Sequence, residues 1–234
     1  MNTKSLQILS RISFFMGIII GLALSVIAIW NNLEATSYYF RGTKYAQFHG
    51  LQCPLMIAPT EKGIVTAVFK SPSDKEDTFF YRAEISGRAS FTRQIADKIS
   101  VPPNEAKSIR ITVDANDVDL RFFVLTKLTI SPNSIHPSQE AVCGIMVVNL
   151  LGLTGTQISI AALLLSLLGI GTGLVLWQPT DRKSDRTMQS IARALGVIVV
   201  LAMFAAFMEW WMAAIAFSVI AILLMVISLH SVVP

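Results

Sequence analysis

His49 and Cys53 stand four residues apart and His136 and Cys143 seven apart, so two imidazoles and two thiols flank the middle of the chain. Zinc or copper accepts such a donor set. The spacing is neither that of a zinc finger nor that of a blue-copper loop, because no histidine follows Cys143 nearby. The competing chemistry is plainer: an even pair of cysteines outside the apolar segments forms a disulfide in an oxidising compartment. The expectation is a Cys53–Cys143 disulfide and no metal. Other reactive patterns are scarce. No G-x-S-x-G, H-E-x-x-H, P-loop or G-x-G-x-x-G occurs, and the glycines at 169, 171 and 173 fall in an apolar segment where they serve packing. Asp114, Asp117 and Asp119 lack the spacing and terminal Glu of an EF-hand and read as a turn. No catalytic residue and no cofactor is expected, and the chain is expected not to be an enzyme.

What would position these residues is a membrane protein with one extramembrane part. The 234 residues are 53% hydrophobic, and the mean hydropathy is +0.59. The net charge of +4 does not signal nucleic acid: residues 31–150 hold 13 basic and 12 acidic side chains, so that region is nearly neutral. The excess lies in Lys4, Arg11, Arg182, Lys183, Arg186 and Arg193, which flank apolar segments.

The charge-free run Ala141–Thr180 is twice what a helix needs to cross a bilayer, so it holds a strand followed by a span. Four spans are expected, over 12–30, 157–177, 194–208 and 212–229. The first has no small-residue cleavage site and reads as an uncleaved signal anchor. Basic residues on the inside place the termini (1–11 and 230–234) and the basic loop 178–193 in the cytoplasm, and residues 31–150 outside the plasma membrane. Trp30, Trp210 and Trp211 then mark the outer interface and Trp177 the inner one. Ser13, Gly17, Gly21 and Ser25 recur every four residues in the first span, and Gly169 and Gly173 repeat the spacing in the second. Small residues on one face let helices approach closely in lipid, within one chain or in a homo-oligomer. No span carries an internal ionisable residue, which argues against a transporter.

Residues 31–50 form a polar segment with an aromatic cluster, Tyr38, Tyr39, Phe40, Tyr45 and Phe48, which either docks a partner, lies on the headgroups or packs under the domain. Period-two alternation then marks strands at Thr78–Ser86, Lys107–Val113 and Leu120–Ile130, with Phe122 and Val124 facing the core. Leu51–Ile57, Gly63–Lys70 and Ala141–Val148 add three more, and Phe91–Ile95 or Ile99–Val101 a seventh. Phe123 and Leu125 fall on the wet face of their strand and are candidates for a partner contact. Turn residues separate these runs, as in Pro102-Pro103-Asn104-Glu105, so about seven short antiparallel strands over 51–150 point to a β-sandwich.

The stretch Val101–Asp119, VPPNEAKSIRITVDANDVD, followed by a long aromatic strand, resembles the proline-turn, strand, acidic-turn, strand ending of bacterial Ig-like ectodomains of the CARDB-like kind. The likeness covers residues 51–148 and implies an Ig-like sandwich without catalytic residues. In such a sandwich the first and last strands are adjacent, which brings Cys53 and Cys143 together in the core. The fold class is therefore α+β: four transmembrane helices and one extracytoplasmic sandwich. Residues 149–156, with Gly152 and Gly155, would be a hinge. The function expected is that of a membrane-anchored accessory or scaffold protein. Its partners would be the lipid bilayer and a membrane or extracytoplasmic protein. The alternative is a structural subunit of a transport or energy-converting complex.

Overall fold

The computed structural model of the chain describes residues 3–39, 46–71, 74–87, 92–119, 122–132, 138–150, 152–176, 183–208 and 210–230. It is an α+β structure that divides into two compact units, residues 1–29 with 159–234, and residues 30–158.

The first unit is helical. The helices are α1 (Thr3–Tyr38), α2 (Gly155–Leu176), α3 (Lys183–Phe207) and α4 (Trp211–His230). Three stretches are long and apolar enough to cross a membrane: Ser5–Tyr38, Gly155–Leu176 and Gln189–Phe207. The described apolar part of α4, Trp211–Ile227, is shorter, so length supports three spans where the sequence reading counted four. Helix extends into two segments expected outside the spans. α1 runs through 31–38, and α3 begins at Lys183, taking in most of the segment expected as the basic loop. Ser184 to Leu195 holds neither Gly nor Pro and is rich in helix formers, so nothing stops the helix there.

Polar back-bonds and bare backbone join α1 to α2 in antiparallel sense. Ser10 Oγ donates to the Gly173 carbonyl (2.8 Å) and Ser166 Oγ to the Gly17 carbonyl (2.9 Å). Ser13 Oγ lies 3.0 Å from Thr172 Oγ1. A Cβ on Gly17 would fall 2.6 Å from the Ile170 nitrogen, one on Gly169 would fall 2.9 Å from the Gly17 Cα, and one on Gly173 would meet Phe14. Gly21 faces Ser166 and, on α3, Val199. Ser25 donates back to Gly21 within its own helix (3.1 Å). The small residues thus let the chain's own helices touch backbone to backbone, the close approach on which apolar helices rely in lipid.

The second unit is a β-sandwich. Its strands are β1 (Ala46–Gln47), β2 (Leu51–Gln52), β3 (Met56–Ile57), β4 (Gly63–Lys70), β5 (Asp77–Ile85), β6 (Arg93–Val101), β7 (Ala106–Val113), β8 (Val118–Asp119), β9 (Phe123–Pro132) and β10 (Gln139–Val147). One sheet has the order β1-β10-β9-β5-β6, with β3 on β10 and β8 on β9; the other is β2-β4-β7. Val65, Phe69, Ile111 and Val113 from the small sheet meet Ala83, Ile85, Val124, Leu128, Ile130 and Ile145 from the large one in a single core. The expected strand Leu51–Ile57 is two strands in different sheets, because Pro54 cannot donate to a ladder and the chain changes sheets there. The weak seventh strand is one continuous strand, β6. Asp97 falls on its inward register opposite Tyr81 and interrupts the apolar alternation. Phe122 lies before β9 and is half exposed instead of entering the core.

Cys53 and Cys143 form a disulfide, with Cα atoms 6.4 Å apart, and both belong to the core or its edge. The last turns of α1 supply what the sequence reading missed. Asn31, Ala35 and Tyr39 recur every four residues and present one helical face. Ala35 and Tyr39 cover Phe123 and Leu125 on the outer face of the large sheet. A Cβ on Gly144 would land on the Asn31 carbonyl, so helix and sheet meet there with no side chain between them.

Candidate functional site

With one end of that outer sheet face covered by α1, the other end is left as an open concavity of about 730 Å³. The sheet pleat lines it with alternate residues: Phe80, Arg82 and Glu84 from β5, Ala96 and Lys98 from β6, and Lys127, Thr129 and Ser131 from β9. Register sets the neighbours. Arg82 stands between Thr129 and Ala96, Phe80 between Ser131 and Lys98, and Glu84 opposite Lys127.

Lys127 is the buried charge of this surface. Its ammonium lies 2.9 Å from Glu140 Oε2, and the two side chains are 8% and 26% exposed. The contact is charge pairing and not an aligned hydrogen bond, since Glu140 Oε2 has no hydrogen-bond partner among the described residues. Glu84 on the opposite strand gives the ammonium a second negative neighbour. The other described ion pair is Arg93–Asp117, so neither pair engages Arg82 or Lys98, and both are exposed beside the half-exposed ring of Phe80. At the wall of the concavity, Tyr81 turns toward Phe69 in the core. Burial pushes its phenol above the ordinary value of 10.0, and the Asp97 carboxylate adds to the rise. The arrangement combines two exposed cations that no described ion pair engages, the carboxylates of Glu84 and Asp97, an aromatic face and two hydroxyls on one sheet. It suits recognition of an amphipathic surface of mixed charge.

No family model and no curated protein matches the chain. Among solved structures it is similar to a transglutaminase from red sea bream, over 43% of this chain and 17% of that one, at 11% identity and a TM-score of 0.35. It is similar to a beta-glucuronidase from Bacteroides uniformis, over 42% of this chain and 12% of that one, at 8% identity and a TM-score of 0.32. A beta-glucosidase from Listeria innocua is matched over 42% of this chain and 16% of that one, at 13% identity and a TM-score of 0.27. The chain spans less than a fifth of the length of each. These are weak, partial likenesses to β-rich domains, and none of the three is a CARDB-like ectodomain. One expectation is corrected here. The structures named are enzymes, so the exclusion of enzymatic activity finds no support in them and is dropped. Likenesses at these scores do not assign an activity either.

The other residues singled out in the sequence fall as follows. Tyr39, Phe123 and Leu125, expected at a partner surface, are buried against one another. The Tyr39 hydroxyl lies 3.0 Å from the carbonyls of both Glu84 and Leu125, to which it donates. Tyr38 is half-buried beside them and hydrogen-bonds the Asp119 carboxylate. Phe40, Tyr45, Trp177 and His136 lie outside the described residues. Trp30, Trp210 and Trp211, expected as interface anchors, are exposed. The sulfurs of Cys53 and Cys143 are bonded to each other, which removes both thiolates from a metal reading, and His49 is exposed. The acidic turn satisfies itself: Asp114 Oδ1 accepts from the Asn116 nitrogen (2.8 Å), and Asp117 accepts from Asp114 and from Arg93. The groove itself was missed. Its signal was the run Phe80, Arg82, Glu84 on the wet face of a strand whose apolar face had been read correctly.

Proposed function

We propose that the chain is a multi-pass plasma-membrane protein whose Ig-like β-sandwich binds a protein or envelope partner close to the outer face. In this reading four helices cross the bilayer, both termini are cytoplasmic and residues 31–150 are extracytoplasmic. The groove of Phe80, Arg82, Lys98, Thr129 and Ser131 receives the partner. What supports the reading most is the contrast between the two halves of one sheet face. The apolar half is covered by the chain's own helix, and the half carrying an exposed ring, Arg82 and Lys98, neither of which joins an ion pair among the described residues, is open. The order of charge along the sequence supports the orientation.

The test is crosslinking of the full chain in native membranes, with a photoreactive residue in place of Ser131, followed by identification of the adducts. A discrete adduct that Arg82→Glu and Phe80→Ala reduce at least five-fold is expected. A chain that stays monomeric and unadducted under every condition refutes the reading. Cysteine accessibility from either side of sealed vesicles checks the orientation.

A further inference from the structure

One end of the sandwich carries large, exposed apolar side chains. Ile64, Phe122, Leu150 and Leu153 are between 38% and 51% exposed, and among the described residues none belongs to the sandwich core or to the cluster under α1. The fold gathers them. The Val147 nitrogen donates to the Phe122 carbonyl (2.6 Å), the Val148 nitrogen to the Ile57 carbonyl (2.9 Å), and the Leu153 nitrogen to the Leu150 carbonyl (2.9 Å). Gly63, beside Ile64, rests on Ile57 and Val113. Turns at a sandwich end are ordinarily polar, because their backbone faces water. The apolar character here calls for a different solvent.

Continuity identifies that solvent. Two residues after Leu153, Gly155 opens a helix apolar enough to cross a membrane, and its backbone rests on Met56. Next to Met56, the Leu55 carbonyl accepts from Asn31 Nδ2 (2.9 Å), which fixes exposed Trp30 at the same end of this unit. Exposed Lys62, two residues before Ile64, adds a cation suited to lipid phosphates.

We infer that this rim of Ile64, Phe122, Leu150 and Leu153 is a lipid-binding surface, seated in the boundary between headgroups and acyl chains of the outer leaflet. The inference rests on the membrane-spanning reading of α2. Its occupant is the bilayer, and a partner protein is the competing outcome.

The test uses the full chain in nanodiscs of phosphatidylcholine and phosphatidylglycerol, with p-benzoylphenylalanine replacing Phe122 or Leu153. Leu164, exposed on α2, serves as the in-membrane control, and Lys75, in the turn at the opposite end of the sandwich, as the aqueous one. After irradiation, intact mass reads the adducts. Lipid-mass adducts at Phe122 and Leu153, at least five-fold above the Lys75 position, are expected. Lipid adducts at Leu164 with none at Phe122 and Leu153 overturn the rim while leaving the span intact. Protein adducts at the rim overturn it in favour of a docking surface. No lipid adduct at Leu164 overturns the spanning reading and the rim with it.

Discussion

Removing the Cys53–Cys143 bridge is a measurement of how the membrane constrains the unfolded sandwich. The bridge closes a sequence separation of 90 residues. For a free chain at 25 °C the loop-entropy relation assigns such a bridge about 4.6 kcal/mol. On the proposed reading, in which the flanking helices stay in the bilayer, the sandwich is not a free chain, because its ends at Trp30 and Ile158 remain tethered when it unfolds. A crosslink inside a closed loop divides it into arcs of about 90 and about 38 residues. The effective length is the product of the arcs over their sum, about 27, and the same relation then gives about 3.5 kcal/mol. The perturbation is the double variant Cys53→Ala/Cys143→Ala, compared with reduced wild type so that the packing lost with the buried Cys143 sulfur is separated from loop entropy. The assay is urea unfolding of the sandwich in nanodiscs, followed by proteolysis of the unfolded unit. At a slope near 1.5 kcal/mol/M, the midpoint should fall by roughly 2 M. A fall below about 0.5 M, or one above about 3 M, would refute the tethered-loop argument, the latter because the unfolded chain then behaves as free.

Two further outcomes follow from the groove and one from the helix contact. Glu140→Gln should cost about 2 kcal/mol in the same assay, because it leaves the Lys127 ammonium buried with only Glu84 near it, whereas Lys127→Met should cost about 1 kcal/mol, since Glu140 is partly wet; the reverse order would show that the pair is not desolvated. Tyr81 should ionise above the ordinary 10.0 in difference absorbance against Tyr81→Phe, and Asp97→Asn should lower that value. The folded pKa is raised, so the stability tied to the protonated phenol is complete below pH 10 and is lost as pH climbs through the folded value; unfolding that sets in at the same alkaline pH in wild type and Tyr81→Phe contradicts this. Gly17→Leu should separate α1 from α2, seen as loss of a disulfide engineered between neighbouring positions on those helices, because its side chain would fall on the Ile170 nitrogen.

The parts of the fold visible in the sequence are those in which one face is apolar and the other wet. β5 and β7 alternate cleanly, and their burial follows that alternation. β9 misled because apolar residues occur on both of its faces, Val124, Leu128 and Ile130 inward and Phe123 and Leu125 outward. Such a strand needs cover on both sides. The cover is the end of α1, whose residues Ala35 and Tyr39 lie in the segment expected as an aromatic cluster for a partner, for headgroups or for packing under the domain; its helical face of Asn31, Ala35 and Tyr39 is what that expectation lacked. The groove was harder to see. Arg82 is ordinary on a wet strand face, and only the strand order, which puts β9 and β6 on either side of β5, turns it into part of a surface. β5 and β6 pair as neighbours in sequence, but β9 joins β5 across more than forty residues, which local periodicity does not encode. α2 starts two residues before the expected 157, and its signal lies in the segment expected as a hinge: Thr154 and Gln157 form a reciprocal capping box, each side chain accepting from the other's backbone nitrogen, at 3.2 and 3.0 Å.

The glycines at the exit of the sandwich give the sharpest test of how the chain leaves it, because the sequence made both part of a hinge and the structure gives them opposite roles. Gly152 has φ +74 and open space around its Cα, whereas a Cβ on Gly155 would fall on the Met56 carbonyl. The Gly155 nitrogen donates to Glu61 Oε2 (2.6 Å), which also accepts from the Ala58 nitrogen (2.9 Å), so a carboxylate closes the positive end of α2. Asn31 reaches Leu55 in the same short segment. Residues 55–61 therefore hold the chain both where it enters and where it leaves. Gly152→Ala should cost about 1 kcal/mol, the strain of a left-handed backbone with nothing to collide against. Gly155→Ala should cost about 2 to 3 kcal/mol, because backbone must shift to admit the methyl group. Glu61→Gln should cost about 1 kcal/mol through the lost charge at the helix terminus. Urea midpoints of the three variants decide between clamp and hinge: equal tolerance of alanine at 152 and 155 means that Gly155 moves freely and the clamp does not exist, while a selective loss at 155 means that the sandwich grips α2 by its first turn.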